Sequence, residues 1–233
     1  MKKSYRFFLI ALAVVVVDQI VKLVVKFNMD LRDEIPVVGG LFKIYFIENQ
    51  GAAFGLTISE LVNGLGMDMT PETGKLILSL FSILAVMGIG VMLYKLATHR
   101  SPLPFFLSLI FGGAIGNIID RTFYGVWFAD MNSYEGGLLH GRVVDMFYLD
   151  IYNGPYPSWV PFVDEGARLF LWPIFNVADA AISIGIVVIL IFQGRFFKAH
   201  EQAVAAETGG ISSAQSQENP AKPNDDNSAG ETA

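Results

Sequence analysis

Two aspartates hold the chemistry that this sequence could perform. Asp145 ends the phrase Gly-Arg-Val-Val-Asp at 141–145, and Asp179 ends Phe-Asn-Val-Ala-Asp at 175–179. Asp179 is the sharper oddity, because the apolar run 180–192 that follows it contains no charge. A carboxylate costs about 2.5–3.5 kcal/mol at the centre of a bilayer and less near its edge, so a chain that keeps one there has a use for it. Two carboxylates in a partly desolvated cleft do not both ionise easily and tend to share a proton. One can then deprotonate a water while the other protonates, or hydrogen-bonds, a scissile carbonyl oxygen. That is the aspartic-peptidase solution, and it requires no Ser, Cys, His or metal. The two positions are distant in the chain, so only tertiary folding can bring them together.

Taken singly, each residue also has a structural reading. Asp179 could be an N-terminal helix aspartate favoured by the helix dipole. Asp145 could be a solvated loop carboxylate. Asn117 and Asn176 could be helix caps or interhelical hydrogen-bonders. Arg121 could be an interfacial anchor, and Asp18 could pair with a buried polar neighbour. Ser183 lies one turn beyond Asp179 but has no base beside it, and reads as packing.

The elements that must position these residues are membrane helices. The chain has 233 residues, 53% of them hydrophobic and 16% charged, and its mean hydropathy is +0.48. Soluble domains carry about 25% charged residues; here the apolar excess falls in long blocks, as in a membrane protein. The formal net charge of −6 has no basic stripe to offset it, so nucleic acid is not expected as a partner. Cysteine is absent, which removes thiol catalysis, disulfides and thiolate metal sites. His99, His140 and His200 form no His-Glu-x-x-His pattern, so neither a metal nor any other cofactor is expected.

The apolar blocks predict a membrane all-α fold: four transmembrane helices with a small extracytoplasmic β-rich region and loops. The helices are expected near 7–27, 76–97, 103–120 and 175–195. Lys2, Lys3 and Arg6 precede the first as in a secretory signal, but Asp18-Gln19 replaces a small-x-small cleavage site and the apolar pattern resumes, so the helix is retained. Lys22 and Lys26 are expected to snorkel at its far end, whereas the short side chain of Asp18 must face protein or water. The run 41–49, rich in aromatic and β-branched residues, predicts a strand. Gly-Gly-Ala-x-Gly at 112–116 offers a small surface for close helix approach. The short flanks bearing Lys2, Lys3 and Arg6, then Lys95 and Arg100, then Arg195 and Lys198, put both termini in the cytoplasm. The expected organisation is one unit over 1–200, with external regions at about 28–75 and 121–174, and a disordered polar cytoplasmic tail over 201–233.

Together the phrases are far more specific than any one residue. Asp18-Gln19, Asn49-x-Gly51-Ala-Ala-Phe-Gly, Gly-Gly-Ala-x-Gly-Asn117-x-Ile-Asp120-Arg121, Val-Val-Asp145-Met-Phe and Phe-Asn176-Val-Ala-Asp179 occur in this order on a four-helix chain. In this the chain closely resembles the lipoprotein signal peptidases (signal peptidase II). The resemblance implies a multi-pass aspartic endopeptidase of the bacterial inner membrane that acts at the outer leaflet. It would remove the signal peptide from diacylglyceryl-modified prolipoproteins by cutting before the lipidated cysteine. It implies Asp145 and Asp179 as the catalytic pair, with Asp18, Asn49, Gly51, Asn117, Asp120, Arg121 and Asn176 as substrate-binding or supporting residues. Asn49 and Arg121 would then contact the substrate backbone or lipid head group, and Asn117 and Asn176 would orient the dyad. Membrane lipids and globomycin-type cyclic peptides are the further partners it implies, and a monomer is expected. Against the family pattern, the segments 121–141 and 150–175 are long and the polar tail is an addition. The aromatic loops there are expected to lie at the outer interface as a mobile lid.

Two other classes fit parts of the sequence. A proton-coupled transporter would relay protons through Asp18 and Asp179, but no inverted repeat or broken-helix signal accompanies them. A non-enzymatic membrane assembly protein would use only the small-residue helix faces.

Overall fold

The computed structural model describes residues 5–51, 57–98, 101–150 and 174–195. Among them are four helices long and apolar enough to cross a membrane: α1 (Tyr5–Asn28), α3 (Pro71–Leu96), α4 (Leu103–Trp127) and α5 (Val177–Arg195). A short helix α2 (Ile58–Gly64) and three strands, β1 (Glu34–Val38), β2 (Phe42–Asn49) and β3 (Val143–Leu149), complete the described elements. The chain is a multi-pass membrane protein of the expected class. The polar tail, most of the loop 150–175 and the Ala-Ala-Phe-Gly part of the first external phrase lie outside the described residues.

Two helix boundaries differ from expectation, each for a local reason. Helix α3 starts at Pro71 rather than 76: Thr70 caps it by accepting the Thr73 N–H, and Pro71 sits where its missing N–H costs nothing. Hydropathy marks only the stretch that must be apolar and misses this polar first turn. Helix α4 runs on to Trp127 rather than ending at 120, through a π-helical segment at Asp120–Tyr124. Wide turns of this kind are frequent at functional sites because they re-aim side chains. Part of the segment expected as an external loop is therefore helix.

The sheet is antiparallel in the order β1-β2-β3. Strand β2 covers nearly all of the run expected as strand. Strand β3, which the sequence did not single out, places Asp145 on a strand. Its register sets Ile47 opposite Asp145 and Asn49 opposite Val143, after a slip between Ile44 and Ile47. Asn49 thereby becomes a diagonal cross-strand neighbour of Asp145, within side-chain reach. Lys43 clamps the sheet from its middle strand, pairing with Glu34 at 3.2 Å and Asp150 at 2.9 Å.

Packing follows the small residues of α4, as expected. Gly112 lies against the backbone of Ala11, Gly113 against that of Ala178, and Gly116 against the carboxylate of Asp18. A methyl group at any of the three would collide with those atoms, so α1 and α5 approach α4 only because the three carry none. At the sheet end of the helices, Val25, Phe46, Tyr124, Val144 and Met146 form a buried cluster that joins α1, β2, α4 and β3. The lysines of α1 do not snorkel. Lys22 is fully buried and Lys26 nearly so, because each has a carboxylate partner inside the protein. Lys26 meets Glu48 of β2 at 2.7 Å.

Candidate active site

The approach to α5 is tied to β3 by a one-residue bridge. Phe175 donates its N–H to the Phe147 carbonyl at 3.0 Å, and Phe147 donates back at 2.8 Å. This draws the next residue, Asn176, beside Asp145. Asn176 also caps α5: its Oδ1 accepts the Asp179 N–H at 2.9 Å, while Asp179 Oδ2 accepts the Asn176 N–H at 3.3 Å. The pattern is a capping box with aspartate as the reciprocal acid. The same side chain donates Nδ2 to Asp145 Oδ1 at 2.6 Å. One asparagine therefore binds both carboxylates.

Two further asparagines complete the frame. Asn117 of α4 donates Nδ2 to Asp179 Oδ1 at 2.8 Å, and its Oδ1 accepts from Asn176 at 3.2 Å. Asn49 donates Nδ2 to Asp145 Oδ2 at 3.0 Å and accepts the Gly51 N–H at 2.9 Å. Gly51 has φ +86°, and a Cβ there would strike Leu78, so the turn after Asn49 demands glycine. Asn49, Asn117, Asp145, Asn176 and Asp179 thus form one continuous network drawn from β2, α4, β3 and α5.

Asp145 is buried, and Asp179 is half-buried. Burial first, and the charge of Asp179 second, push the Asp145 carboxyl up to about 7, against the pull of its hydrogen bonds from Asn49 and Asn176. The folded protein keeps a proton there that an unfolded aspartate would release near 3.8. That contribution to stability is complete below the unfolded value and is lost as pH rises towards 7. Thermal unfolding in detergent is expected to show a lower midpoint at pH 8 than at pH 5. The decline should shrink in Asp145→Asn; an unchanged slope would contradict the assignment of the proton to this site.

A buried ionic cluster lies one layer further in. Lys22 Nζ contacts Asp18 Oδ2 and Asp120 Oδ2, each at 2.9 Å, and donates to Asn117 Oδ1 at 3.0 Å. Three acceptors match the three donors of an ammonium. The two aspartates do not bond the carboxylate of Asp145 or of Asp179. Each fixes backbone instead: Asp18 accepts the Ala178 N–H at 2.9 Å, and Asp120 accepts the Val144 N–H at 3.1 Å. They hold the residues immediately before Asp179 and Asp145. Gln19 links the two aspartates, donating to Asp18 at 3.2 Å and to Asp120 at 3.0 Å, and accepts from Tyr124 at 3.0 Å.

Arg121 lies at the edge of the network. It donates to Ser82 of α3 at 2.8 Å, and its other terminal nitrogen approaches Gly51. Its buried Nε has no hydrogen-bond partner among the described residues. No group of three metal-ligating side chains occurs among the described residues.

Sequence reasoning missed Lys22, Gln19 and Ser82. The signal for Lys22 was present: an Asp and a Lys spaced i,i+4 in an apolar span share a helix face and pair there.

The family model for signal peptidase (SPase) II matches residues 10–195. A lipoprotein signal peptidase of Porphyromonas gingivalis is 40% identical over 189 residues, covering 76% of this chain and 77% of that one. One from Amoebophilus asiaticus is 36% identical over 82% of this chain and 78% of its own. Two solved structures share the fold, each described as a bacterial membrane enzyme obtained by the in meso method. The 1.9 Å structure is 26% identical, with TM-score 0.53 over 80% of this chain and 90% of that one. The 2.3 Å structure is 24% identical, with TM-score 0.54 over 82% and 88%.

Proposed function

The chain belongs to the signal peptidase II family, and from that premise we propose that Asp145 and Asp179 are the dyad with which it cleaves prolipoproteins. It is a membrane aspartic endopeptidase that removes their signal peptides. The observation that carries the dyad is the side chain of Asn176, hydrogen-bonded to Asp145 while its backbone and amide oxygen engage Asp179.

Asp145, the more buried of the two, holds the shared proton at rest. Asp179, which accepts hydrogen bonds from Asn117 and Asn176, is the general base. A water lodged between them loses a proton to Asp179 as its oxygen attacks the scissile carbonyl carbon. Asp145 gives its proton to the carbonyl oxygen, which leaves a neutral tetrahedral diol. Collapse of the diol breaks the C–N bond: Asp179 returns its proton to the leaving amine, and Asp145 regains one from a hydroxyl. Arg121, anchored at Ser82 and reaching towards Gly51, is placed to meet a substrate carbonyl.

The peptidase lies within 1–200, in the bacterial inner membrane, with cytoplasmic termini and the dyad at the outer leaflet. The bond cut is the one before a diacylglyceryl-modified cysteine, whose lipid chains stay in the leaflet. Globomycin-type peptides would occupy the same cleft, and a monomer suffices because all the site residues come from one chain. Purified protein in detergent should cleave a diacylglyceryl-modified lipobox peptide with no ion gradient and spare the unlipidated peptide. Its rate should fall about tenfold per pH unit above the dyad's upper pKa, near 7. A protein inert toward every lipidated peptide, or a reporter fused after Arg195 that reads external, would overturn the respective part. Proton transport gains no support, since Asp18 is locked to Lys22.

A further inference from the structure

Three cations lie about the crevice between Gly51 and the start of α3: Lys75 lines it, Arg121 approaches Gly51, and Arg142, just before β3, lies close to Lys75. None forms an ion pair among the described residues, where every ion pair involves Lys22, Lys26 or Lys43. Arg142 rests its guanidinium 4.3 Å from the Tyr134 ring centroid and donates its backbone N–H to the Tyr134 hydroxyl at 2.8 Å. Its Nε is buried and without a hydrogen-bond partner. Lys75 is half-buried and lies close enough to Arg142 to feel its charge, with Glu72 offsetting part of the repulsion. Glu60 lines the same crevice as Lys75 and Gly51, but Thr57 already holds it, through N at 2.7 Å and Oγ1 at 2.8 Å. Among the described residues, two like charges lie close together with no ion-paired carboxylate, an arrangement suited to an anion.

The helix face decides what fills it. Ile77, Leu80, Phe81 and Leu84 are the exposed apolar residues of this part of α3 and mark its lipid side. At 3.6 residues per turn, Lys75, Ser79 and Ser82 fall on the opposite side. Ser79 donates to the Leu139 carbonyl at 2.9 Å, and Ser82 accepts from Arg121. Lys75 therefore faces the cleft, so its ligand is whatever occupies the cleft. From the level of Ser82 to that of Lys75 is about 10 Å along the helix. An extended peptide covers that distance in about three residues.

We propose that Lys75 and Arg142 form a subsite for an acidic side chain about two to four residues after the lipidated cysteine, on the mature part of the substrate. The subsite rests on the proposed function, since it presumes that the mature chain leaves the dyad towards the start of α3. It makes the enzyme selective for prolipoproteins whose mature chain opens with Asp or Glu.

The test uses the full chain and diacylglyceryl-modified peptides that differ only at the second, third or fourth residue after the cysteine, carrying Asp, Asn or Lys. For wild type, kcat/KM is expected to be about five- to tenfold higher for Asp than for Asn at one of these positions, and lower still for Lys. The preference should fade with added salt. Lys75→Gln should lose it while cleaving the Asn peptide at the wild-type rate, and Lys75→Glu should invert it in favour of Lys. Equal rates for the three peptides, or a preference untouched by Lys75→Glu, would overturn the subsite. So would a Lys75→Glu defect common to all three peptides that scales with the anionic-lipid content of nanodiscs, which would mark a head-group site. Cleavage of the Asn peptide by wild type keeps these outcomes separate from the proposed function, which fails only if no lipidated peptide is cut.

Discussion

Asp145→Asn and Asp179→Asn are each expected to lower the rate of lipopeptide cleavage by about 10³-fold or more, the scale of losing a positioned acid or base. The double variant should be no worse than either single one, because the two residues act as one unit. Folding should survive. Asp179→Asn keeps an oxygen to accept from Asn117, and only the weaker bond from the Asn176 N–H, at 3.3 Å, is lost. Asp145→Asn keeps an acceptor for Asn176 or for Asn49 but not for both. The orphaned amide costs about 1–3 kcal/mol, against which the variant no longer buries an ionisable carboxyl. Binding of a globomycin-type inhibitor should therefore persist in both. The measurement is single-turnover cleavage of a diacylglyceryl peptide, with thermal unfolding run alongside. Turnover within tenfold of wild type in either variant would remove the dyad from the mechanism.

Lys22→Met should produce the largest loss of stability. It strands the fully buried carboxylates of Asp18 and Asp120 without the cation that both contact. Breaking a buried ion pair from one side costs about 3–5 kcal/mol, so the variant should accumulate poorly and unfold early. Lys22→Arg should not rescue it, because a planar guanidinium does not fit a pocket built around three converging acceptors. The triple variant with Asp18→Asn and Asp120→Asn should recover much of the folded yield. Its amide oxygens can still take the Ala178 and Val144 N–H groups. A Lys22→Met protein as stable as wild type would show that the cluster is not the clamp described above.

Asp179 and the four spans were legible because both leave local marks, whereas Asp145 stood out only through the ordered phrases around it. An aspartate before an uncharged run of apolar residues stands out in any window, and so does each block long enough to cross a membrane. Strand β2 was legible from its aromatic and β-branched composition. Strand β3 was not, because Val-Val-Asp-Met-Phe becomes a strand through its pairing with β2, a contact that no window contains. Lys22 was misjudged although its pairing with Asp18 is local: Asp120 and Asn117, which complete its burial, reach it from another helix. The extension of α4 was hidden by Asp120 and Arg121, whose charges signal an exit from the membrane although the backbone stays helical. The cap at Thr70 with Pro71 was visible in the sequence and simply outweighed by hydropathy.

The bond from Asp18 to the Ala178 N–H joins positions 160 residues apart, and it bears on how the protein is made. Helix α5 leaves the ribosome after the other three described spans, and Asp179, Asn176 and the Phe175 bridge arrive with it. Until it docks, Asp145 has lost Asn176, Asp18 lacks its amide, and Gly113 has no neighbour to admit. A nascent chain holding only the first three described spans has Asp145 in place without the partners that α5 brings. On the proposed dyad, the order of synthesis thus keeps the site incomplete while the chain is being inserted.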